Sequence, residues 1–180
     1  MISLDEPTIL LLELLDAYGV RLHALFAKLA LRDDVADELL QELFLKLYQT
    51  TGFMQASRPE MYLFRSAINL AFDWRRRTQR TAGFVPLLGN EVGQAPAPVD
   101  EASRREELDR VLTAVSALSP SDRELVTLRF LHGSSYEELA ELSGSTPHRI
   151  RARCAKAISR LRTQLEPSPS KELADERRPG

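Results

Sequence analysis

Apolar residues recur at the spacing of an α-helix along most of the chain. The first predicted helix runs from Pro7 to about Ala30, and the second runs from Val35 to Tyr48 with Asp34 as its N-terminal cap. The third follows a Ser-Arg-Pro sequence and extends from Pro59 to about Arg80. Three helices with this much aliphatic surface can enclose a small core, which predicts a first domain over residues 1–82.

The helical pattern stops after this domain. Residues 83–103 contain several prolines and glycines but neither Lys nor Arg, which predicts a flexible linker. Helical spacing resumes near Arg104, and Ser119-Pro120 opens a further helix that ends at Gly133. A second domain is therefore predicted over residues 104–165. The predicted fold is all-α, with two small helical domains.

The stretch from Ser135 to Leu165 predicts two helices joined by a tight turn. Ser135 and Glu138 have the spacing of a capping box, and Gly144 suits the left-handed conformation that ends a helix. Thr146 is the predicted cap of the second helix, with Pro147 at its first position. That helix carries an apolar stripe of Ile150, Cys154, Ala157, Ile158 and Leu161, surrounded by Arg149, Arg151, Arg153, Lys156, Arg160 and Arg162. This is a helix-turn-helix whose second helix can enter a major groove, although a solvated hairpin with a cationic face fits these residues too.

Charge is unevenly distributed although the net charge is only −2. Acidic residues predominate in residues 1–56, whereas arginines predominate in residues 57–80 and again in the last predicted helix. Two basic segments, each behind an acidic one, indicate two contacts with a polyanion and one with another partner. Residues 166–180 have mixed charge and almost no apolar side chains, which predicts disorder.

Several function classes lack their residues in this sequence. The single Cys154 forms no internal disulfide, and its place on the apolar stripe predicts a small core residue. No zinc-ligand spacing, Gly-rich phosphate loop, paired carboxylates or nucleophile–His arrangement is present, so we expect neither an enzyme nor a cofactor. No apolar run has membrane-spanning length and Met1–Ile9 lacks a cationic start, so we expect a cytoplasmic protein without membrane insertion.

Three stretches together resemble the extracytoplasmic-function (ECF) sigma factors of bacterial RNA polymerase. They are ADELLQELFLKLY at residues 36–48, RPEMYLFRSAINLAFDWRRRTQR at residues 58–80, and residues 118–161. The last includes Arg123, Leu128-Arg129 and Tyr136-Glu137-Glu138-Leu139-Ala140. The resemblance implies a sigma region 2-like first domain and a sigma region 4-like second domain. It implies a protein that directs the polymerase core to promoters and promotes DNA melting.

The resemblance also assigns partners to two of these segments. The second helix is expected to bind the clamp helices of the polymerase beta-prime subunit, and the second domain to bind the beta flap. The expected clamp contacts are Asp37, Glu38, Leu40, Gln41, Glu42 and Phe44. From the residues alone, an ordinary amphipathic helix with a solvated acidic face fits as well. An anti-sigma factor is a further partner that the family commonly has.

Residues 58–80 resemble the segment that melts the promoter and captures the −10 element. Arginines suit phosphates, and Asn69 can both donate to and accept from a base edge. Tyr62 and Trp74 are either stacking platforms or core residues, and Ile68 stands where the family usually has a basic residue. The expected −10 contacts are Tyr62, Arg65, Asn69, Trp74, Arg75, Arg76, Arg77 and Arg80.

The last helix resembles the one that reads the −35 element. His148 and Arg149 stand where small residues or Thr are usual, so the −35 preference is expected to be unusual. The expected contacts are Thr146, His148, Arg149, Arg151, Ala152, Arg153 and Lys156.

Two other functions compete with this interpretation. A helix-turn-helix regulator would bind duplex operators without polymerase, with the first domain serving dimerisation or ligand sensing. A DNA recombinase would need a catalytic domain built on a sheet, and residues 1–80 predict helices throughout.

Overall fold

The computed structural model of the chain describes residues 6–82 and 99–166, and within these residues it contains helices but no strand. The elements are α1 (Glu6–Ala30), α2 (Asp33–Tyr48), α3 (Thr51–Met54), α4 (Pro59–Ala82), α5 (Val99–Ser116), α6 (Pro120–Val126), a π-helical segment (Thr127–His132), α7 (Tyr136–Ser143) and α8 (Pro147–Leu165). The prediction of an all-α fold with two helical domains is confirmed. The predictions for residues 83–98 and 167–180 lie outside the described residues.

The N-terminal domain is formed by α1, α2 and α4, which pack on one another around an aliphatic and aromatic core. Its fully buried side chains include Leu22, Phe26, Leu39, Leu43, Leu63 and Phe72. All of them except Leu63 come from the apolar faces that the sequence pattern predicted. The short helix α3 contributes Phe53, which is also buried.

Two local features of this domain differ from prediction. Asp34 lies inside the first turn of α2 rather than at its cap, which is Arg32, and no side chain caps this helix. The Asp34 carboxylate instead accepts a hydrogen bond of 3.0 Å from Nε of Arg32, which lowers its pKa. The helix α3 was not predicted, because its four residues are too few to show a period.

The C-terminal domain contains α5 to α8 around a second group of buried apolar residues. The main ones are Leu112, Val115, Leu125, Leu128, Leu139, Ile150, Cys154 and Leu161. Helix α5 begins at Val99 rather than near Arg104, so the predicted linker was too long at this end. Cys154 is a buried core residue as predicted, and burial raises the pKa of its thiol.

The end signals of the helix-turn-helix formed as predicted. Ser135 and Glu138 form a complete capping box at the start of α7, and Gly144 ends that helix with a φ of 64°. Thr146 caps α8 by accepting a hydrogen bond from the backbone N–H of Arg149. Each signal uses residues within one turn of the helix end, which is why the sequence alone predicted them.

Helix α6 does not continue as an α-helix. Residues Thr127–His132 form a π-helical segment that ends at Gly133, whose φ of 88° lies in the left-handed region. The sequence predicted an ordinary helix here.

The two domains pack against each other. Helix α4 contacts α6 and α7, α1 contacts the π-helical segment, and Arg75 of α4 pairs with Asp109 of α5. We call this set of contacts the interdomain interface.

Candidate nucleic-acid interface

Helix α8 presents a basic surface at its N-terminal half. His148, Arg149, Arg151, Ala152 and Lys156 are all exposed, while Ile150 and Cys154 face the core. The cap at Thr146 fixes where the helix starts and therefore which side chains face outward. This arrangement suits the major groove, because the first turns of a recognition helix meet the base edges.

Two of the predicted −35 residues have partners within the protein. Arg153 donates to Ser121 Oγ at 2.6 Å and to Asp122 Oδ1 at 3.1 Å, and Arg160 donates to Asp122 Oδ2 at 3.1 Å. The guanidinium of Arg151 lies 5.0 Å from the ring centroid of Tyr136. Arg153 and Arg151 therefore contribute to packing in this structure, whereas Arg149 and Lys156 extend from the exposed face.

Asp122 joins α6 to α8. Burial pushes the pKa of its carboxyl upward, but the hydrogen bonds from Arg153 and Ser119 and the charges of Arg153 and Arg160 outweigh it. The pKa therefore lies below its ordinary value of 3.8. A carboxylate held in its charged form between two arginines fixes the orientation of the DNA-facing helix.

The C-terminal half of α4 carries a second basic surface. Arg76 pairs with Asp73, and Nη2 of Arg77 lies 3.6 Å from Oε1 of Glu42 on α2. Together with the exposed Arg80 they border an open cavity of about 290 Å³. Guanidinium groups around an open cavity suit phosphates of a nucleic-acid backbone.

The middle of α4 is covered by the C-terminal domain. Nη2 of Arg123 donates a hydrogen bond of 2.8 Å to Oδ1 of Asn69. Nε of Arg65 donates one of 2.9 Å to Oε2 of Glu124. The side chain of Glu124 is 7% exposed, whereas that of Arg65 is 57% exposed. Burial raises the pKa of Glu124, although the hydrogen bond and charge of Arg65 act in the opposite direction.

Arg75 and Trp74 lie at a different part of the interdomain interface. Arg75 is buried and donates to the carbonyl of Leu29 at 2.9 Å and to Asp109 of α5 at 2.6 Å. Half-buried Trp74 lines a cavity of about 1020 Å³ between the ends of α1, α4 and α5. In this arrangement Arg75 is an internal tether, and its guanidinium is not accessible to a phosphate.

The open questions about two other residues of this segment have structural answers. Ile68, which stands where the family usually has a basic residue, is 1% exposed and belongs to the core. Tyr62 is half-buried with its ring centroid 6.0 Å from that of Phe53. Tyr62 therefore packs in part against the domain and presents only the rest of its ring.

Helix α2 exposes the acidic face that the sequence predicted. Asp37, Glu38, Gln41 and Glu42 are exposed, while Leu40 and Phe44 are half-buried at the edge of this face. The rings of Phe44 and Tyr48 stack with centroids 6.4 Å apart, and Leu45 beside them is 56% exposed. An acidic face next to exposed apolar side chains is suited to a protein partner with basic and apolar groups.

Two family models match this chain in the order of its domains. Residues 14–81 match sigma-70 region 2, and residues 108–161 match sigma-70, region 4. The RNA polymerase sigma-E factor of Streptomyces antibioticus is 31% identical over 134 residues, covering 73% of this chain and 71% of that protein. The chain belongs to the ECF sigma factors.

The chain is also similar to other proteins. The RNA polymerase sigma factor CarQ of Myxococcus xanthus is 28% identical over 156 residues, covering 85% of this chain and 87% of that protein. Among solved structures, the sigma factor RpoE in complex with the anti-sigma factor NepR from Bartonella quintana aligns with a TM-score of 0.46 and 24% identity. That alignment covers 89% of this chain and 98% of the other.

The function follows from the family. This ECF sigma factor directs bacterial RNA polymerase to promoters and takes part in transcription initiation, rather than acting as a stand-alone operator-binding regulator. It is a transcription initiation factor and not an enzyme of a classical kind. None of the helices described here has both the length and the apolar character of a membrane-spanning segment.

Sequence reasoning missed the residues through which the two domains of this sigma factor meet. Arg123 was noticed only as part of a family pattern, and Asp109, Asp122 and Glu124 were not singled out. One signal was available in the sequence. Arg123 and Glu124 are charged residues next to the apolar residues of α6, and charged side chains are buried mainly when they have partners.

Proposed function

We propose that this sigma factor uses three separate surfaces: the acidic face of α2 for polymerase, α4 for the −10 element, and the outer face of α8 for the −35 element. The proposal is supported by one observation in particular. The exposed charged side chains of α4 and of α8 are all basic, whereas those of α2 are mostly acidic and lie beside apolar groups. Such a distribution fits two DNA contacts and one protein contact in a single complex.

The polymerase surface consists of Asp37, Glu38, Leu40, Gln41, Glu42 and Phe44. Complementary charge against the clamp helices of the beta-prime subunit would set the register and the association rate, and the apolar edge near Phe44 would supply buried area. Contact of the C-terminal domain with the beta flap is proposed on the family resemblance.

The −10 surface is built around Asn69. Separating base pairs costs stacking and pairing energy, which capture of an extruded base returns through stacking and edge hydrogen bonds. Asn69 supplies the edge contact, and Arg76, Arg77 and Arg80 hold the neighbouring phosphates. Arg65 also joins the set once it is released from Glu124. Tyr62 provides a ring surface on the same helix, and Trp74 provides a second one beside the cavity between α1, α4 and α5.

The −35 surface is the exposed N-terminal half of α8. Arg149 and His148 occupy the positions nearest to the base edges, whereas Lys156 is placed for a phosphate. Thr146 and Ala152 border them. Arg151 and Arg153 would contribute through the orientation of α8 unless DNA displaces their present partners.

Domain limits and cellular context complete the proposal. The sigma region 2-like domain occupies residues 1–82, and the region 4-like domain occupies residues from Val99 to 165. A protein that works with RNA polymerase on promoter DNA acts in the cytoplasm, and the polymerase performs the chemistry. An anti-sigma factor would compete for the exposed face of α2, where Leu45 and Tyr48 leave apolar surface uncovered.

The test is a reconstituted transcription assay with core polymerase. Promoter fragments selected from genomic DNA by the holoenzyme are altered in their −35 or −10 element and assayed for binding and for transcription. We expect the sigma factor alone to bind these fragments weakly, and both elements to be required only when polymerase is present. Sequence-specific duplex binding of full strength without polymerase would contradict the proposed division of surfaces.

A further inference from the structure

The interdomain interface places α6 on the surface proposed to capture the −10 element. Arg123 contacts Asn69 at 2.8 Å, and Glu124 contacts Arg65 at 2.9 Å. The guanidinium carbon of Arg123 also lies 5.2 Å from the ring centroid of Phe72 on α4. Adjacent residues of α6 therefore occupy the proposed base contact and one of the proposed phosphate contacts at the same time.

The chemistry of these two side chains matches that of a nucleotide. A base edge presents hydrogen-bond donors to an Asn amide oxygen, and its phosphate presents an anion to an arginine. Arg123 presents N–H donors to Asn69, and the Glu124 carboxylate presents an anion to Arg65. We propose that the Arg123-Glu124 pair is an internal mimic of the −10 nucleotide, which closes the DNA-binding surface of α4 until the two domains separate. This inference depends on the proposed −10 role of Asn69.

Contacts on both sides of this pair stabilise the closed arrangement. Arg75 is bound to Asp109 of α5 at 2.6 Å, and Lys28 donates to the carbonyl of Leu131 at 2.9 Å. The side chain of Arg58 donates to the carbonyl of Glu141, close to the turn of the helix-turn-helix. Ring contact between Phe64 and His132, with centroids 4.9 Å apart, adds a small apolar patch. The closed arrangement is therefore fixed at several places along α4.

The same interface is built to open. Five buried polar atoms in the described residues have no hydrogen-bond partner, and all five belong to α6 and the π-helical segment: Arg123 Nε, Glu124 Oε1, Thr127 Oγ1, Arg129 Nε and His132 Nε2. Buried polar atoms without partners are unfavourable relative to their hydrated state. When the domains separate, the unpaired polar atoms that face the interface become hydrated. This hydration offsets part of the free energy needed to separate the domains. An obligate domain contact would be more apolar and more completely paired.

Closing and DNA capture exclude each other. Asn69 Oδ1 and Nε of Arg65 contact α6 in the closed form, so a strand can use these two atoms only after α6 has left. In the proposed complex, the two domains bind different parts of polymerase and promoter, which separates them and exposes the pocket. Only the open fraction of the free chain can then bind single-stranded DNA through this pocket. The apparent dissociation constant is therefore expected to equal that of the open form divided by the open fraction.

The test compares full-length variants by small-angle scattering and by binding to a short labelled single-stranded DNA of randomised sequence, without polymerase. Arg123→Ala should increase the radius of gyration and tighten DNA binding by about fivefold or more. This direction opposes simple electrostatics, since the variant loses a positive charge. Arg104→Ala, which removes an exposed arginine of α5, should leave the radius unchanged and should not tighten binding.

A second pair of variants guards against a folding defect in Arg123→Ala. Glu124→Lys places a positive charge against Arg65, so it should expand the chain and tighten binding more than Glu137→Lys, which makes the same charge change at an exposed position of α7. If neither Arg123→Ala nor Glu124→Lys differs from its control, the mimic is contradicted.

The proposed function and the mimic fail in different ways. If Arg123→Ala expands the chain but its tighter binding survives the addition of Asn69→Ala, the base pocket lies elsewhere and the −10 proposal is wrong. If Asn69→Ala abolishes promoter opening by holoenzyme while Arg123→Ala changes neither radius nor binding, the −10 proposal holds and the mimic is wrong.

Discussion

The guanidinium of Arg123 donates a 2.8 Å hydrogen bond to the side-chain oxygen of Asn69, which lies 54 positions earlier in the chain. This bond joins a helix of the C-terminal domain to the centre of the proposed −10 surface. Asn69 therefore has two roles to test, one within the free chain and one in the open complex.

Asn69→Ala should reduce promoter opening and leave earlier steps nearly unchanged. Holoenzyme assembly and closed-complex binding depend on other surfaces, whereas capture of the extruded base contributes about 1–3 kcal/mol. Permanganate footprinting on duplex and on pre-melted templates measures the effect. A pre-melted template should rescue Arg76→Ala more fully than Asn69→Ala, because base capture is still required after melting. If Asn69→Ala opens duplex promoters as well as the wild type does, the base pocket is not at Asn69.

Reversing two acids of α2 should prevent association with polymerase. The double variant Glu38→Lys with Glu42→Lys places like charges against a basic partner and should abolish co-purification with the polymerase core. The circular dichroism spectrum should stay helical. Glu13→Lys with Asp16→Lys makes the same charge change on exposed positions of α1 and should co-purify normally. Equal loss in both double variants would mean that overall charge, and not the α2 face, is responsible.

Arginines of α8 should separate into DNA-reading and supporting groups. Arg149→Ala should cost about 1–3 kcal/mol in promoter binding and relax preference at one −35 position. Lys156→Ala should weaken all sequences alike and reduce the salt slope by about one unit. Arg153→Ala should instead lower thermal stability, since it removes a partner of Asp122. Salt-dependent DNA binding and thermal melting curves distinguish the three variants. If only Arg153→Ala loses base preference, then Arg153 and not Arg149 reads the −35 element.

Asp122 should stabilise the C-terminal domain in a pH-dependent way. Its pKa is lowered in the folded state, so its stabilisation is present above the unfolded value of 3.8 and is lost as pH falls through the folded value. Asp122→Asn should therefore cost about 1–3 kcal/mol at neutral pH, and the difference from wild type should disappear in strong acid. Denaturant titrations across this range, with Asp16→Asn as an exposed control, measure it. A difference that is independent of pH would contradict the ionic role.

The interdomain interface should respond to pH through two groups with opposite signs. Burial raises the pKa of Glu124, although Arg65, Arg153 and Arg123 lie near it. Protonation of Glu124 therefore favours the closed form at low pH, and this contribution is lost as pH rises through the raised pKa. Burial, and then the charge of Arg21, lowers the pKa of His132, which also faces Glu138 and Lys28. The contribution of neutral His132 to the closed form is therefore fully present above its ordinary pKa of 6.5. It is lost as pH falls through the lowered pKa of the closed form.

Single substitutions should separate these two effects. In Glu124→Gln only His132 remains, so the radius of gyration should increase as pH falls. In His132→Gln only Glu124 remains, and the radius should decrease over the same range. Scattering measurements at a series of pH values test both, and the same pH response in the two variants would contradict the assignment.

The sequence predicted features that depend on neighbouring residues. The capping box at Ser135, the left-handed Gly144 and the cap at Thr146 each use contacts within one helical turn, so their spacing is visible in the sequence. The apolar faces of α1, α2 and α4 were visible as periods, because each helix buries one side. Together these local patterns predicted the helices and the outward face of α8.

The interdomain contacts could not be predicted in the same way. Arg123 meets Asn69, Glu124 meets Arg65 and Asp109 meets Arg75 across long separations, and no period or spacing relates the partners. Arg75 was expected among the phosphate contacts because its neighbours Arg76 and Arg77 are basic too. Its position on α4 instead places its side chain on the buried side of the helix. The pairing of two surfaces is decided by tertiary packing, which a single sequence does not display.

The π-helical segment between α6 and the helix-turn-helix has a consequence for chain length. A π-helical turn holds more residues than an α-helical turn, so the six residues Thr127–His132 rotate the chain about as far as five residues of α-helix would. Removing one residue here and restoring the α-helical winding would therefore keep the face of α6 that meets α4 nearly in its present angular relation to the chain that leads into α7. A deletion within α6 has no such reserve and would rotate everything that follows by about 100°, so the π-helical segment is where this part of the chain can change its length while the promoter-reading helix keeps its orientation.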